Sequence, residues 1–226
     1  MRQLALETSG VTGSVAILID GELISEVSLP AGQRSGRSLA PAIDELLRRA
    51  GWEPRDVALV SVTIGPGSFT GLRIGVTTAK AFAFAVGAEV LGVDTLDVIA
   101  EQAPLANIPL EVILGAERGQ VFCRRYLASS QRRYVGQGDV RLVTEEEWLA
   151  GLVQPVAVTG PAVNKIELPA NVQVVDAVRR LPIAATVGRV AARMYASGHR
   201  NDLWTLVPEY HRPSAAEEKW NARREG

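Results

Sequence analysis

The residues with the most chemical content lie at positions 65–75, which read GPGSFTGLRIG. A strand-like run feeds a loop with three glycines and one proline, and that loop feeds a helix. Gly65 and Gly67 permit backbone geometries that a Cβ forbids. Ser68 or Thr70 can cap the helix. The N–H groups of its first turn, near Gly71, carry the positive end of the helix dipole and form an anion site. The same spacing also describes a tight strand-to-helix corner, and both readings stand. Two phosphate codes fail here. Walker A needs Gly-Lys-Ser/Thr where this chain has Gly71-Leu72-Arg73. In GxGxxG the third glycine position holds Thr70. The opening Glu7-Thr8-Ser9-Gly10 places a carboxylate at a strand end beside a small-residue turn. That carboxylate would hold a hydrated metal with the turn facing phosphate, or else it is a solvated Glu in a hairpin.

Other chemistry is scarce. The chain has one cysteine, Cys123, and two histidines, His199 and His211. One cysteine excludes an intrachain disulfide framework and points to a reducing compartment. No HExxH or CxxC spacing is present, so neither metal ligands nor catalytic residues are nominated. A Ser-His-Asp enzyme would have to use one of those two histidines.

The elements that position these residues follow from a chain of 226 residues, 47% hydrophobic and 22% charged, with net charge −1. That is one large domain or two small ones, and disorder throughout is excluded. The first 105 residues carry net −4 and the rest +3, with 21 arginines and three lysines, and no basic block announces nucleic acid. Glu7 comes before any signal-peptide core could form. The longest apolar stretch, Ala81–Ala88, is eight residues where a bilayer needs roughly 20. The expectation is a cytoplasmic protein that does not engage a membrane.

Strands are expected at Leu4–Thr8, Ser14–Ile19 and Glu22–Leu29, with Asp20-Gly21 as a hairpin turn. Pro30–Gly36 reads as a loop. Leu39, Ile43, Leu46, Leu47 and Ala50 recur at helical spacing. Val57–Ile64 reads as a central strand, followed by a helix from about Thr70 to Val86. Val90–Val93 reads as a strand and Leu96–Gln102 as a helix. Gln102–Pro109 marks a lobe boundary. Beyond it, Leu110–Leu114, Gln120–Tyr126, Val140–Val143, Val156–Thr159 and Val172–Val175 read as strands. Ser129–Gln137 reads as a polar loop. Thr144 with Glu147 forms a capping box for a helix through Leu152, and Ile183–Ser197 is a last helix. The expected organisation is a first α/β lobe at 1–103, a second at 104–206, and a polar tail at 207–226 with Trp220. Trp204 and Tyr210 are further anchors in the polar C-terminal stretch.

The helix after the glycine loop is apolar on two faces. Leu72, Val76, Ala79, Ala83 and Val86 line one; Ile74, Thr78, Ala81 and Ala85 line another. Only Arg73 and Lys80 carry charge. Such a helix packs under the second lobe or against a partner.

GPGSFTGLRIG, with LALETSGVTGSVAI, closely resembles the bacterial tRNA threonylcarbamoyladenosine biosynthesis family TsaB, also called YeaZ. SGRSLAPAIDELL, GVDTLDVIA, AERGQVF and PEYHRPSAAEEKW extend the resemblance. It implies a two-lobed, actin-like ATPase fold (sugar kinase or heat-shock ATPase type) of mixed β-sheets flanked by helices, with a degenerate active site. It implies a noncatalytic scaffold subunit of the complex that adds a threonylcarbamoyl group to N6 of an adenosine beside the anticodon, in tRNAs reading A-starting codons. Catalysis then belongs to a paralogue, TsaD, which holds a metal through a histidine pair. A small ATPase, TsaE, joins. ATP and metal ion belong to these partners, tRNA is met through the complex, and the chain alone pairs as a homodimer. The interface implied is the first-lobe helices: Leu39, Ile43, Leu46, Leu72, Arg73, Val76, Thr77, Lys80, Ala81, Phe84 and Ala85. The anion or nucleotide loop would comprise Glu7, Thr8, Ser9, Gly65, Gly67, Ser68, Thr70 and Gly71. The chain departs from the family pattern at Glu7, where Asp is common, at Ser35, where many members carry His, and at Gly115-Ala116-Glu117, where DAR is common. Each change removes a polar group that would contact nucleotide or partner. Alternatives are a free-standing actin-like-fold ATP-dependent enzyme or glycoprotease-like peptidase, and a tRNA-binding module using Arg124, Arg125, Arg132 and Arg133.

Overall fold

A computed structural model describes residues 1–30 and 35–211. Part of the expected Pro30–Gly36 loop, the side chain of Ser35, and the tail beyond His211 with Trp220 lie outside the described residues.

Two five-stranded mixed sheets form the framework, which is the two-lobed arrangement of the expected fold class. The first has the order β3-β2-β1-β4-β5. Its strands are β1 (Arg2–Glu7), β2 (Ser14–Ile19), β3 (Glu22–Ser28), β4 (Leu59–Gly65) and β5 (Glu89–Asp94). The β1–β2–β3 meander is antiparallel, and β1, β4 and β5 are parallel. Asp20 and Gly21 turn the β2–β3 hairpin with φ of 51° and 85°, as a type I′ turn requires.

Both faces of this sheet are covered, so its central strands are largely apolar, and the buried Gln3 and Ser61 bond to each other at 2.9 Å. Leu4 and Leu6 face one side with Val15, Ile17, Val60 and Val62. There they meet α1 (Ser35–Arg49) and α2 (Phe69–Val86). The alternate positions Ala5, Ala16, Leu18 and Leu91 face the other side and meet α5 (Ala184–Ala196). On α1 the buried residues Leu39, Ala42, Ile43, Leu46 and Leu47 follow the helical period.

The second sheet, β10-β9-β6-β7-β8, joins an antiparallel hairpin pair to two short parallel strands. Its strands are β6 (Leu110–Gly115), β7 (Gln120–Ala128), β8 (Tyr134–Thr144), β9 (Ala157–Thr159) and β10 (Gln173–Val174). Between the sheets lies α3 (Thr95–Gln102), whose Leu96, Ile99 and Ala100 pack on Leu110, Val112 and Tyr126. On the far face α4 (Glu145–Ala150) buries Trp148, and Thr144 with Glu147 forms its capping box.

Two regions differ from the sequence reading. Tyr134–Gln137, expected in a loop, opens β8, where Tyr134 pairs with Ala128 and Val135 with Leu127. An edge strand with one wet face and two glycines lacks the alternation that marks a strand, and the backbone ladder to β7 orders it. The chain also returns to the first lobe after the second. Helix α5, inside the expected 104–206 lobe, packs on β1, β2, β4 and β5. The segment after it crosses the first lobe again. Asn201 Oδ1 accepts from Gly92 N at 2.9 Å, and Leu206 is buried in the first core. Lys80 Nζ donates to the carbonyls of Trp204 and Leu206 at 3.0 and 2.9 Å.

The glycines of the 65–75 segment mark where α2 meets the end of β1. A Cβ on Gly71 would lie 2.0 Å from the Thr8 carbonyl oxygen, and one on Gly75 2.1 Å from Thr8 Oγ1. Gly71→Ala therefore forces β1 and α2 apart and should destabilise by about 3 kcal/mol in urea titration. Gly115→Ala, whose nearest neighbour is 4.0 Å from the added carbon, should shift stability by less than about 0.5 kcal/mol. Equal effects would overturn the close-approach account.

Candidate functional site

The parallel strands β1, β4 and β5 end on one edge of the first sheet. Glu7, Gly65 and Asp94 occupy those ends. Ligands of open α/β sheets gather at such edges.

Glu7 is fully buried. Its Oε1 accepts from Ser9 N at 2.6 Å and from Ser9 Oγ, while Oε2 has no partner. Burial pushes its carboxyl up to about 7. Thr8 N donates to Thr63 Oγ1 at 3.4 Å, and the Ser9 carbonyl accepts from Ser68 N at 2.8 Å. Ser68 is the helix cap, and its Oγ accepts from Gly71 N at 3.2 Å. Gly65 has φ +142°, and a Cβ there would sit 2.5 Å from the Glu209 carbonyl oxygen. A Cβ on Gly67 would sit 2.6 Å from Ser9 Cβ. Thr70 is exposed on the first turn of α2. Of the eight loop residues named from sequence, Glu7, Thr8, Ser9, Gly67, Ser68 and Gly71 contact one another, while Gly65 lies against Glu209 and Thr70 is exposed. The amides of Ser68 and Gly71 are already committed to the protein's own oxygens, and Gly65, Gly67 and Gly71 serve close backbone contacts.

The C-terminal segment lies across this loop. Glu209 N donates to the Ile64 carbonyl at 2.8 Å. Arg73 Nε donates to Tyr210 Oη at 2.8 Å, and the guanidinium lies 4.0 Å from the Phe69 ring centre. Tyr210 packs on Phe69 with ring centres 4.7 Å apart.

Above the strand ends a cavity of about 370 Å³ opens between the lobes, lined by Asp94, Arg124, Asp139, Val140, Glu209 and His211. Asp94 caps α3, its Oδ1 accepting from Leu96 N at 2.6 Å and Asp97 N at 3.2 Å. Burial and the neighbouring Asp97 charge raise its carboxyl to about 7. Asp97 Oδ1 accepts from Arg124 Nη1 at 3.2 Å and Tyr126 Oη at 2.8 Å, which ties α3 to the second sheet. Burial and these carboxylates push the Tyr126 phenol far up. Asp94 lies in GVDTLDVIA and Glu209 and His211 in PEYHRPSAAEEKW, but no local spacing links the two segments, so the sequence did not mark them as one site.

The two histidines separate. His199 sits at the C-terminus of α5, its Nδ1 3.2 Å from the Met194 carbonyl oxygen. Ser197 Oγ, 3.2 Å from that ring, is also bonded to the Arg193 and Met194 carbonyls, a helix-capping arrangement. His211 joins the cavity. Cys123 is buried in the second core, and burial raises its thiol.

The named interface residues divide in two. Leu39, Ile43, Leu46 and Val76 are at most 5% exposed and point into the first core, because they are the apolar period of α1 and α2, and Leu72 is likewise buried at 1% exposed. They hold the helices in place and do not present a surface. Thr77, Ala81, Phe84 and Ala85 are exposed along α2, with Phe84 66% exposed. Phe84 meets Trp204 edge-on at 5.5 Å, and Arg73 and Lys80 flank the row.

Residues 30–147 match the model of the family TsaD, tRNA N6-adenosine threonylcarbamoyltransferase. The chain is 28% identical to the tRNA threonylcarbamoyladenosine biosynthesis protein TsaB of Bacillus subtilis, over 97% of this chain and 98% of that protein. It is 26% identical to TsaB of Escherichia coli over the same shares of the two chains. The chain belongs to the TsaB (YeaZ) family. The solved structure of YeaZ from Pseudomonas aeruginosa has the same fold, with a TM-score of 0.77 at 24% identity over 92% of this chain and 99% of that one. In this TsaB-family chain, none of the described helices is long and apolar enough to cross a membrane.

Glu7 carries a pH signature. Its carboxyl is near 4.5 when unfolded and about 7 when folded. Between those values the native state keeps a proton that the unfolded chain has released. Stability therefore falls as pH rises through that window and levels off above it. Glu7→Gln removes the effect. Its stability relative to wild type should rise by about 2 kcal/mol between pH 5 and pH 8 in urea melts. A pH-independent difference between the two proteins would refute the buried-proton assignment.

Proposed function

We propose that this chain is a noncatalytic scaffold subunit in tRNA threonylcarbamoyladenosine biosynthesis. Its partner is the catalytic paralogue TsaD, and the outward face of α2 is the pairing surface. The observation that carries the reading is that face: Thr77, Ala81 and Ala85 are small and exposed, Phe84 and Trp204 stand beside them, and no acidic side chain interrupts the row. Small side chains let a second helix approach closely. The same face serves a homodimer when the chain is alone. The glycine loop supports this division of labour, since Ser68 Oγ and Glu7 Oε1 are bonded within the chain. The transfer chemistry, with its ATP and metal ion, then falls to TsaD and TsaE, and tRNA is met through the complex. The cytoplasm is where this reading locates the chain.

The cleft cavity favours one competing reading, a free-standing ATP-dependent enzyme. Calorimetry of the isolated chain with ATP and Mg²⁺ separates the two. Tight binding with turnover supports the enzyme, and absence of turnover with loss of tRNA modification when the chain is omitted from a reconstituted assay supports the scaffold.

Ala81→Arg should weaken association roughly 100-fold, because a charge desolvated in an apolar contact costs several kcal/mol. Light scattering should show the mass drop, with the circular dichroism spectrum unchanged. Unchanged mass would remove α2 from the interface.

A further inference from the structure

The cavity between the lobes holds a set of groups that the scaffold reading does not use. Asp94 comes from the end of β5, and Glu209 and His211 come from the segment that returns over the glycine loop. Their ligating atoms all lie within 4.8 Å of one another. We propose that Asp94, Glu209 and His211 form a binding site for a divalent transition-metal ion of the zinc or manganese class.

Donor chemistry sets that class. An imidazole nitrogen with two carboxylates suits Zn²⁺ and Mn²⁺, whereas Mg²⁺ prefers oxygen and water alone. Geometry comes next. Bonds of about 2.1 Å put tetrahedral ligands roughly 3.4 Å apart, so small rotations of the three side chains close the set around an ion.

Asp94 is held through its side chain, and the C-terminal pair through the backbone and the residue between them. Both backbone amides that hold Asp94 bond to Oδ1, so these contacts leave Oδ2 unengaged. The Glu209 backbone is fixed on Ile64 at 2.8 Å. Tyr210, between the two C-terminal ligands, is fixed by Arg73 and Phe69. Such outer contacts orient metal ligands. His211 supplies an independent observation: its Nε2 is buried and has no hydrogen-bond partner. A buried nitrogen without a partner costs free energy that a coordinate bond would offset.

The electrostatics of the lining agree. Among the described residues, Asp94, Asp139 and Glu209 face the cavity with Arg124 as the lining cation. That guanidinium is paired with Asp97 at 3.2 Å, so its charge is largely answered outside the set. A divalent ion compensates what remains. It would also staple the C-terminal segment to the end of β5, so binding should stabilise the fold.

The test uses the full chain, stripped with EDTA and dialysed against micromolar ZnCl₂ or, separately, MnCl₂, with bound metal counted by mass spectrometry. The expected result is one equivalent bound in the presence of excess Mg²⁺, with a rise in Tm. His211→Ala and Glu209→Gln should each weaken binding roughly tenfold or more and abolish the Tm rise. His199→Ala, at the other histidine, should bind as wild type does. Circular dichroism establishes that each variant is folded. No metal above the dialysis background, equal binding by His211→Ala, or an equal loss in His199→Ala would each overturn the site.

Discussion

Thr8 and Ser9 at the end of β1 stand in backbone contact with α2 and the loop before it. The tolerance there is below one carbon atom: a side chain at Gly67, Gly71 or Gly75 would fall between 2.0 and 2.6 Å from those two residues. This contact fixes the height of α2 on the sheet. That height puts Val76, Ala79 and Ala83 into the core with α1, and it leaves Ala81, Ala85 and Phe84 outside. The glycine spacing that looks like an anion loop is thus first a packing device, and the exposed row on α2 is its consequence.

The lobes are joined through polar contacts. Asp97 receives both Arg124 and Tyr126 from the second sheet, and α3 carries it between the two cores. The chain then returns: α5 covers the second face of the first sheet, and the segment to His211 is tied down by Lys80, Ile64 and Arg73. Cleft, glycine loop and α2 therefore share one boundary, formed by the same thirteen residues from His199 to His211. A change in that segment reaches all three.

Membership of the TsaB family and the geometry of α2 point the same way by different routes. The family rests on a matched model and on relatives aligned over nearly the whole chain. The proposed pairing face rests on the exposed residues Thr77, Ala81, Phe84 and Ala85. The cleft is a separate matter. Its carboxylates and His211 line the cavity at the strand ends and are not part of the exposed row on α2.

Most of the first lobe was legible in the sequence. Its central strands are largely apolar, α1 keeps a strict period, and Asp20-Gly21 and Ser68 act as turn and cap through contacts within a few residues, as Thr144 does in the second lobe. The glycine motif and its neighbours also sufficed to identify the family. Three things depended on tertiary structure. The start of β8 at Tyr134 exists because β7 supplies its ladder, not because its residues alternate. The division of α1 and α2 residues into core and surface needed the sheet beneath them, since an apolar helix has no preferred inner face until something covers it. Asp94 meets Glu209 and His211 only because the chain returns across the first lobe, and a separation of more than a hundred positions leaves no local spacing that ties Asp94 to that pair. Local chemistry determined the elements and the family; long-range packing decided which faces remain free and which charges share a cavity.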